Sequence, residues 1–111
     1  MAGYVLLLRS GEYTGYSPEE MQKILEKYIG WMNQLRTEGR YRAGEELNRS
    51  GRVLRAQGNS VVDGPFTETK EAVGGFFLID AKDYDEAVSI SRGCPHLEYG
   101  GEIEIREVIP H

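Results

Sequence analysis

Residues 4–32 run YVLLLRSGEYTGYSPEEMQKILEKYIGWM, and the reading of this stretch decides the fold. Tyr4-Val5-Leu6-Leu7-Leu8 is a short unbroken apolar run closed by Arg9-Ser10-Gly11, the pattern of a strand buried on both faces rather than an alternating surface strand. Ser17-Pro18-Glu19-Glu20 then supplies an N-cap serine, a proline at the first helical position and a glutamate placed to close a capping box, so a helix starts there. Met21, Ile24, Leu25, Tyr28, Met32 and Leu35 recur at steps of three and four, one apolar stripe for packing on a sheet. Gly39 suits the left-handed position that ends a helix, which predicts a helix from about Pro18 to about Glu38.

Outward from there, Tyr41 to Leu47 reads as a second strand. Gly51 to Gln57 and Ser60 to Asp63 flank Gly58-Asn59, the signal of a tight hairpin. After the polar stretch Thr67 to Glu71, Gly74 to Ile79 repeats the buried-strand pattern. Asp83-Tyr84-Asp85-Glu86 caps a short helix with an expected inner face of Tyr84, Ala87 and Val88, ending near Arg92-Gly93. Glu102-Ile103-Glu104-Ile105-Arg106 alternates strictly and closes the sheet. The order is α+β and ferredoxin-like, βαββαβ with an extra central hairpin, in one domain spanning 1–111. Two helices cover one face of such a sheet, yet Val5, Leu7, Phe76, Phe77 and Leu78 cannot all point to it. A second copy packed face to face, a homodimer, is the expected cover; a partly open ligand groove is the alternative.

The 111 residues suffice for one core without staples. Thirteen basic against 18 acidic residues, a formal net charge of −5, and no Lys/Arg cluster leave no footprint for nucleic acid or an anionic membrane. No apolar run approaches the roughly 20 residues of a membrane helix. The lone Cys94 forms no intramolecular disulfide and no basic-then-apolar leader precedes the first strand, so a cytoplasmic location is expected. Two histidines far apart and one cysteine give no zinc-type spacing, and neither a dinucleotide fingerprint nor a Walker sequence occurs. No metal and no cofactor are expected, with carboxylate-only binding of Mg²⁺ left open.

Val61-Val62-Asp63-Gly64-Pro65-Phe66 is the most distinctive short passage. With YVLLL, SPEE, VVDGPFTETKEAVGGFFLID and CPHLEYGGEIEIREV it resembles the DGPF branch of the YCII-related proteins over nearly the whole chain. The resemblance implies a ferredoxin-like dimer whose two sheets form an α/β barrel. It also implies small-molecule chemistry, since some relatives process such compounds, including by dehydrochlorination of hydroxylated aromatics. The family's catalytic pair, a histidine on the first helix and an aspartate in an Asp-Pro-aromatic step, does not carry over. Here the helix offers Tyr28 and Trp31, and the step reads Cys94-Pro95-His96.

The remaining candidates are weighed on their own chemistry. Asp63 either holds the Gly64-Pro65 turn through backbone N–H groups or projects into an apolar pocket as a general base. His96 is the natural proton carrier at neutral pH, or else a plain capping imidazole. Asp63 and His96 are expected to meet as an acid/base pair. Phe66, Lys70 and Glu71, with Thr67 and Thr69, follow the motif as either a ligand loop or a solvated loop whose charges pair locally, and Arg9 with Glu45 or Glu46 is a candidate to line the same cavity. Cys94 is read as buried packing rather than a nucleophile, and the tyrosines as core and interface. Three functions follow: a proton-transfer enzyme of the isomerase or lyase kind on small organic or aromatic compounds, a non-catalytic ligand-binding or accessory dimer, or an interaction protein in which the DGPF loop is a structural turn and the dimer surface contacts another protein. Whether there is turnover, the sequence leaves open.

Overall fold

Along the first strand, β1 (Ala2–Ser10), Tyr4, Leu6 and Leu8 are buried and Val5 and Leu7 half-buried, so one face is more deeply covered than the other. The computed structural model describes residues 1–64 and 72–111. Its further elements are α1 (Pro18–Thr37), β2 (Tyr41–Glu46), β3 (Val53–Gln57), β4 (Ser60–Gly64), β5 (Val73–Ala81), α2 (Tyr84–Ser91), a 3-10 helix (Pro95–Tyr99) and β6 (Gly101–Glu107). Strands β2-β5-β1-β6 form one antiparallel sheet in ferredoxin-like order, and β3 and β4 pair separately as a two-stranded hairpin. The anticipated elements are therefore present, with β3 beginning at Val53 rather than Gly51 and the 3-10 helix as an addition.

Local chemistry explains the boundaries. Ser17 accepts from Glu20 N–H while the Glu20 carboxylate accepts from Ser17 N–H, both at 3.1 Å, which closes the capping box. Gly39 adopts φ 73° just past the end of α1, a backbone that glycine takes without penalty. Asp83 caps α2 through Glu86 N–H at 2.8 Å.

The core lies between the helices and one face of the sheet. Leu6 and Ile79 are fully buried, with Tyr4 paired across from Ile79 and Leu6 across from Phe77. Helix α1 lays Ile24, Tyr28, Trp31 and Leu35 on this face, at steps of four, three and four. The stripe is thus rotated from the expected one: Met21 and Leu25 are 39% and 51% exposed, and Trp31 takes the centre, edge-on to Phe77 at 5.0 Å. Gly93 makes the room, since a Cβ there would stand 3.2 Å from the indole nitrogen. Helix α2 also differs, because Ala87 and Ser91 are its buried residues and Tyr84 and Val88 are exposed. Small residues let α2 sit close to the sheet, while Tyr84 reaches back to meet Tyr4 edge-on and to accept from Glu107 N–H at 2.8 Å. No described helix is long and apolar enough to cross a membrane.

Among the described residues, the other face of the sheet carries no helix. At its centre Val5 pairs with Leu78 and Leu7 with Phe76, all half-buried. At its rim Arg9 pairs with Glu104 at 3.3 Å and Arg42 with Asp80 at 3.5 Å. Replacing Leu6 by alanine removes a fully enclosed side chain and is expected to cost about 2–5 kcal/mol by urea unfolding; a loss below about 1 kcal/mol would contradict its place in the core.

Candidate functional site

The functional side chains gather where β1 ends. The β1–β5 register slips between Leu8 and Arg9, and the next two residues take left-handed backbone, Ser10 at φ 61° and Gly11 at φ 84°. Ser10 is the one non-glycine with positive φ among the described residues, a conformation that costs of order 1–3 kcal/mol and calls for a compensating contact. That contact is the Arg9 carbonyl, which meets His96 Nε2 at 2.7 Å.

His96 arrives from the other end of the chain on the 3-10 helix, whose first residue is Pro95 and whose exit is Gly100 at φ 72°. It is only 4% exposed. Glycines flank its ring: a Cβ on Gly101 would overlap the imidazole, and one on Gly11 would lie 2.6 Å from its Cε1. These two glycines are needed for the close approach itself.

The hydrogen-bond directions follow from the partners. A carbonyl only accepts, so Nε2 bears the proton, and Nδ1 of the neutral ring is left as an acceptor. The Tyr13 hydroxyl fills that position at 2.6 Å. With its single proton committed, Tyr13 in turn accepts from Tyr28 at 2.7 Å. The result is a directed chain, Tyr28 to Tyr13 to His96 to the Arg9 carbonyl, joining α1, the β1–α1 loop, the 3-10 helix and β1. Burial lifts Tyr28 well above the ordinary phenol range, and its bond with Tyr13 adds to the lift. Burial also raises Tyr13, partly offset by the bond from Tyr28. Both hydroxyls therefore hold their protons at neutral pH.

Around this chain Tyr13 stacks on His96 at 5.8 Å and tilts against Tyr99 at 5.4 Å, and Tyr16 meets Tyr99 edge-on. Lys27 donates to Glu98 at 3.0 Å and to the Tyr99 hydroxyl at 3.2 Å. Cys94 is buried beside the 3-10 helix, and burial pushes its thiol up to about 11, so it is packing rather than a nucleophile.

The candidates singled out from sequence separate. Asp63 lies on β4 and its carboxylate pairs with Arg52 of the same hairpin. Because β3 and β4 form their own small sheet and both His96 nitrogens are taken by Arg9 and Tyr13, the expected Asp63–His96 contact is not made within the chain. Arg9 contributes its carbonyl to the histidine, while its guanidinium faces Glu102 and Glu104 with a buried Nε that has no hydrogen-bond partner among the described residues. Phe66, Lys70 and Glu71 lie outside the described residues, as do Thr67 and Thr69. Tyr13 and Tyr28, read from sequence as core, are the residues that sequence reasoning missed. Among the described residues no three His, Cys, Asp or Glu side chains converge on a metal position. A surface cavity of about 340 Å³ between the two helices, floored by Trp31 and bordered by Arg40 and Glu86, does not include the relay residues.

The model of the YCII-related domain matches residues 2–111, and the chain belongs to that family. A curated relative, an uncharacterized protein of Rhizobium meliloti (strain 1021), is 56% identical over 47 residues; the match spans 41% of this chain and 38% of that protein. Two solved structures are similar. One is 5-chloro-2-hydroxyhydroquinone dehydrochlorinase of Burkholderia phenoliruptrix AC1100 in complex with 2,5-dihydroxybenzoquinone, 16% identical with a TM-score of 0.47, covering 96% of this chain and 93% of that one. The other is a protein of Arabidopsis thaliana, 14% identical with a TM-score of 0.41, covering 100% and 96%.

The raised thiol of Cys94 fixes a sign for the pH dependence of stability. The folded chain holds this proton more tightly than an ordinary thiol of 9.0, so the stabilisation is complete below that value and is lost as the pH climbs toward 11. Iodoacetamide at about pH 8 is expected to label Cys94 far more slowly in the native protein than in urea. Replacing Cys94 by alanine is expected to flatten part of the alkaline loss of unfolding midpoint, and equal labelling in both states would refute the burial.

Proposed function

We propose that the protein transfers protons on small organic or aromatic compounds, in the manner of an isomerase or lyase, with the Tyr28–Tyr13–His96 chain as its acid/base device. The observation that carries this reading is the direction of the chain. The Tyr28 and Tyr13 protons point along the chain toward Nδ1 of His96, which leaves the lone pairs of the Tyr28 oxygen as its accepting end. A ligand hydroxyl, phenolic or enolic, donates there; the Tyr28 proton passes to Tyr13, and the Tyr13 proton to Nδ1 of His96. Donor and acceptor atoms stand 2.6 and 2.7 Å apart, which suits concerted transfer and avoids a free phenolate, the species that burial makes costly. The imidazolium so formed keeps Nε2–H on the Arg9 carbonyl. Reversal of the chain returns the proton to the product.

His96 is thus kept from the pair expected in the sequence, and Asp63 is replaced in this role by Tyr13. The finer family assignment, to the DGPF branch, rests on the Asp63-Gly64-Pro65-Phe66 motif. The working unit is proposed to be a cytoplasmic homodimer in which the open faces, centred on Val5, Leu7, Phe76 and Leu78, pack together as a barrel. The support for it is that half-buried apolar centre with charged residues at its rim.

A test that needs no known substrate is deuterium exchange. Hydroxylated aromatics and enolisable 1,3-dicarbonyl compounds would be incubated with the protein in D₂O and carbon-bound deuterium read by NMR. The wild type is expected to accelerate exchange in at least one class, with Tyr28→Phe and His96→Gln each losing roughly 100-fold or more of that acceleration. Ligand-induced thermal stabilisation with no exchange would favour the non-catalytic binding protein instead. Retention of full exchange by His96→Gln would remove the relay from the chemistry.

A further inference from the structure

The aromatic rings around His96 form one connected row from the surface to the core. Tyr16, 37% exposed, meets Tyr99 with ring centres 5.9 Å apart, and Tyr99 meets Tyr13 at 5.4 Å. Tyr13 and Tyr28 touch through their hydroxyls at 2.7 Å. Trp31, one turn further along α1, joins the row through Phe77, which stands 6.4 Å from Tyr28 and 5.0 Å from Trp31. Tyrosine and tryptophan rings at such separations exchange electrons readily, so an electron vacancy created anywhere in the row settles where it is stabilised best.

The surroundings of each ring decide that place. Tyr41 and Tyr99 each carry a cation over the ring, Arg36 at 4.4 Å and Lys27 at 5.6 Å, and Lys27 also donates to the Tyr99 hydroxyl. A positive charge bound to a ring holds its electrons in place. Tyr13 has instead a base at its oxygen, for its hydroxyl donates to Nδ1 of His96 at 2.6 Å. A tyrosine that loses an electron alone becomes a radical cation, and one that loses a proton alone becomes a phenolate; partial burial makes both costly. Loss of the two together leaves a neutral phenoxyl and moves the charge to the imidazole, whose Nε2–H stays on the Arg9 carbonyl. The hydrogen bond from Tyr28 remains on the phenoxyl oxygen and stabilises it.

We propose that Tyr13 is a redox site, which yields one electron to an oxidant of the peroxyl or phenoxyl radical class while its hydroxyl proton passes to Nδ1 of His96. In that step the Tyr13 O–H bond breaks and an N–H bond forms. The oxidant becomes its anion and takes a proton from water. A thiol or enediol reductant returns the electron, and the proton goes back along the same hydrogen bond. The row of rings makes Tyr13 a sink for oxidising equivalents that arrive at Tyr16 or at Trp31. This activity does not rest on the proton-transfer reading, since it uses the bond from Tyr13 to His96 and no substrate.

Pulse radiolysis of the full chain in azide solution tests it, with the azidyl radical as the one-electron probe. The indolyl signal of Trp31, the chain's one tryptophan, is expected to decay into a tyrosyl signal at a rate independent of protein concentration. Tyr13→Phe and His96→Gln are each expected to slow that step roughly tenfold or more, because a positioned proton acceptor contributes at least that much to proton movement. The wild-type step is also expected to slow in D₂O, which a purely structural role for His96 would not produce. Near-ultraviolet circular dichroism verifies that each variant folds, and Tyr13→Phe, which keeps the ring, carries the test where His96→Gln does not fold. An indolyl radical that persists in the wild type overturns the assignment. So does a tyrosyl signal formed at the wild-type rate in Tyr13→Phe, or loss of the Cys94 thiol in place of any tyrosyl signal. Deuterium exchange that fails while this radical behaviour is seen removes the proton-transfer reading alone, and the converse removes the redox site alone.

Discussion

A buried imidazole must have both ring nitrogens satisfied, and the end of the sheet is built around that requirement. His96 is almost wholly enclosed, and an unpaired nitrogen there would cost about 1–3 kcal/mol. Nε2 finds the Arg9 carbonyl and Nδ1 finds Tyr13. Each neighbouring irregularity can be referred to this pair of bonds. The register slip at Leu8/Arg9 and the left-handed Ser10 turn the chain out of β1 at this point. Gly11 and Gly101 leave the space that the ring fills. Glu12 N–H bonding to Tyr99 at 2.7 Å ties the loop after β1 to the 3-10 helix that carries the histidine. The strain at Ser10 and the two satisfied nitrogens are of similar magnitude, so neither is understandable alone.

The same enclosure shapes the chemistry. Neutral hydroxyls are cheap to bury when each finds a partner, whereas phenolates are not, and this is why Tyr13 and Tyr28 hold their protons so firmly. A chain of such groups does not act by carrying charge on its tyrosines. In the proposed role it would move a proton only as a concerted shift whose net charge comes to rest on the imidazole, beside a carbonyl dipole. An aspartate in direct contact would have stabilised that cation more strongly, but an aspartate buried at this depth would itself need pairing.

Much of the fold was legible because its signals are local. The capping box at Ser17 and Glu20, Gly39, the Asp83 cap, the Gly58-Asn59 turn and the alternation of β6 depend on neighbours in sequence. What was not legible depends on distance. The rotation of α1 that buries Trp31 instead of Leu25 is set by Gly93, far along the chain, and the buried face of α2 is set by how closely Ala87 and Ser91 approach the sheet. The candidate site divides in the same way. His96 was visible as one of two histidines beside a proline, but its partners were not, because Tyr13 and Tyr28 are 83 and 15 residues from the groups they bond, His96 and Tyr13 respectively. Their number hid them, since seven tyrosines in a short chain read first as core. Tyr28 nonetheless stands on the first helix, the element from which relatives are expected to supply a histidine. The chain places an oxygen there and its imidazole elsewhere.

Arg9 links the two faces of the sheet. Its backbone carbonyl holds His96, whereas its guanidinium lies among Glu102 and Glu104 at the rim of the open face, with Nε buried and unpartnered among the described residues. The side chain thus faces whatever covers that side of the sheet, on the same residue whose carbonyl meets His96. A second copy seated on the sheet would meet the Arg9 guanidinium on the open face, not the hydrogen-bonded chain itself. The two contacts meet on one residue, the rim ion pairs through the Arg9 side chain and the imidazole through the Arg9 carbonyl.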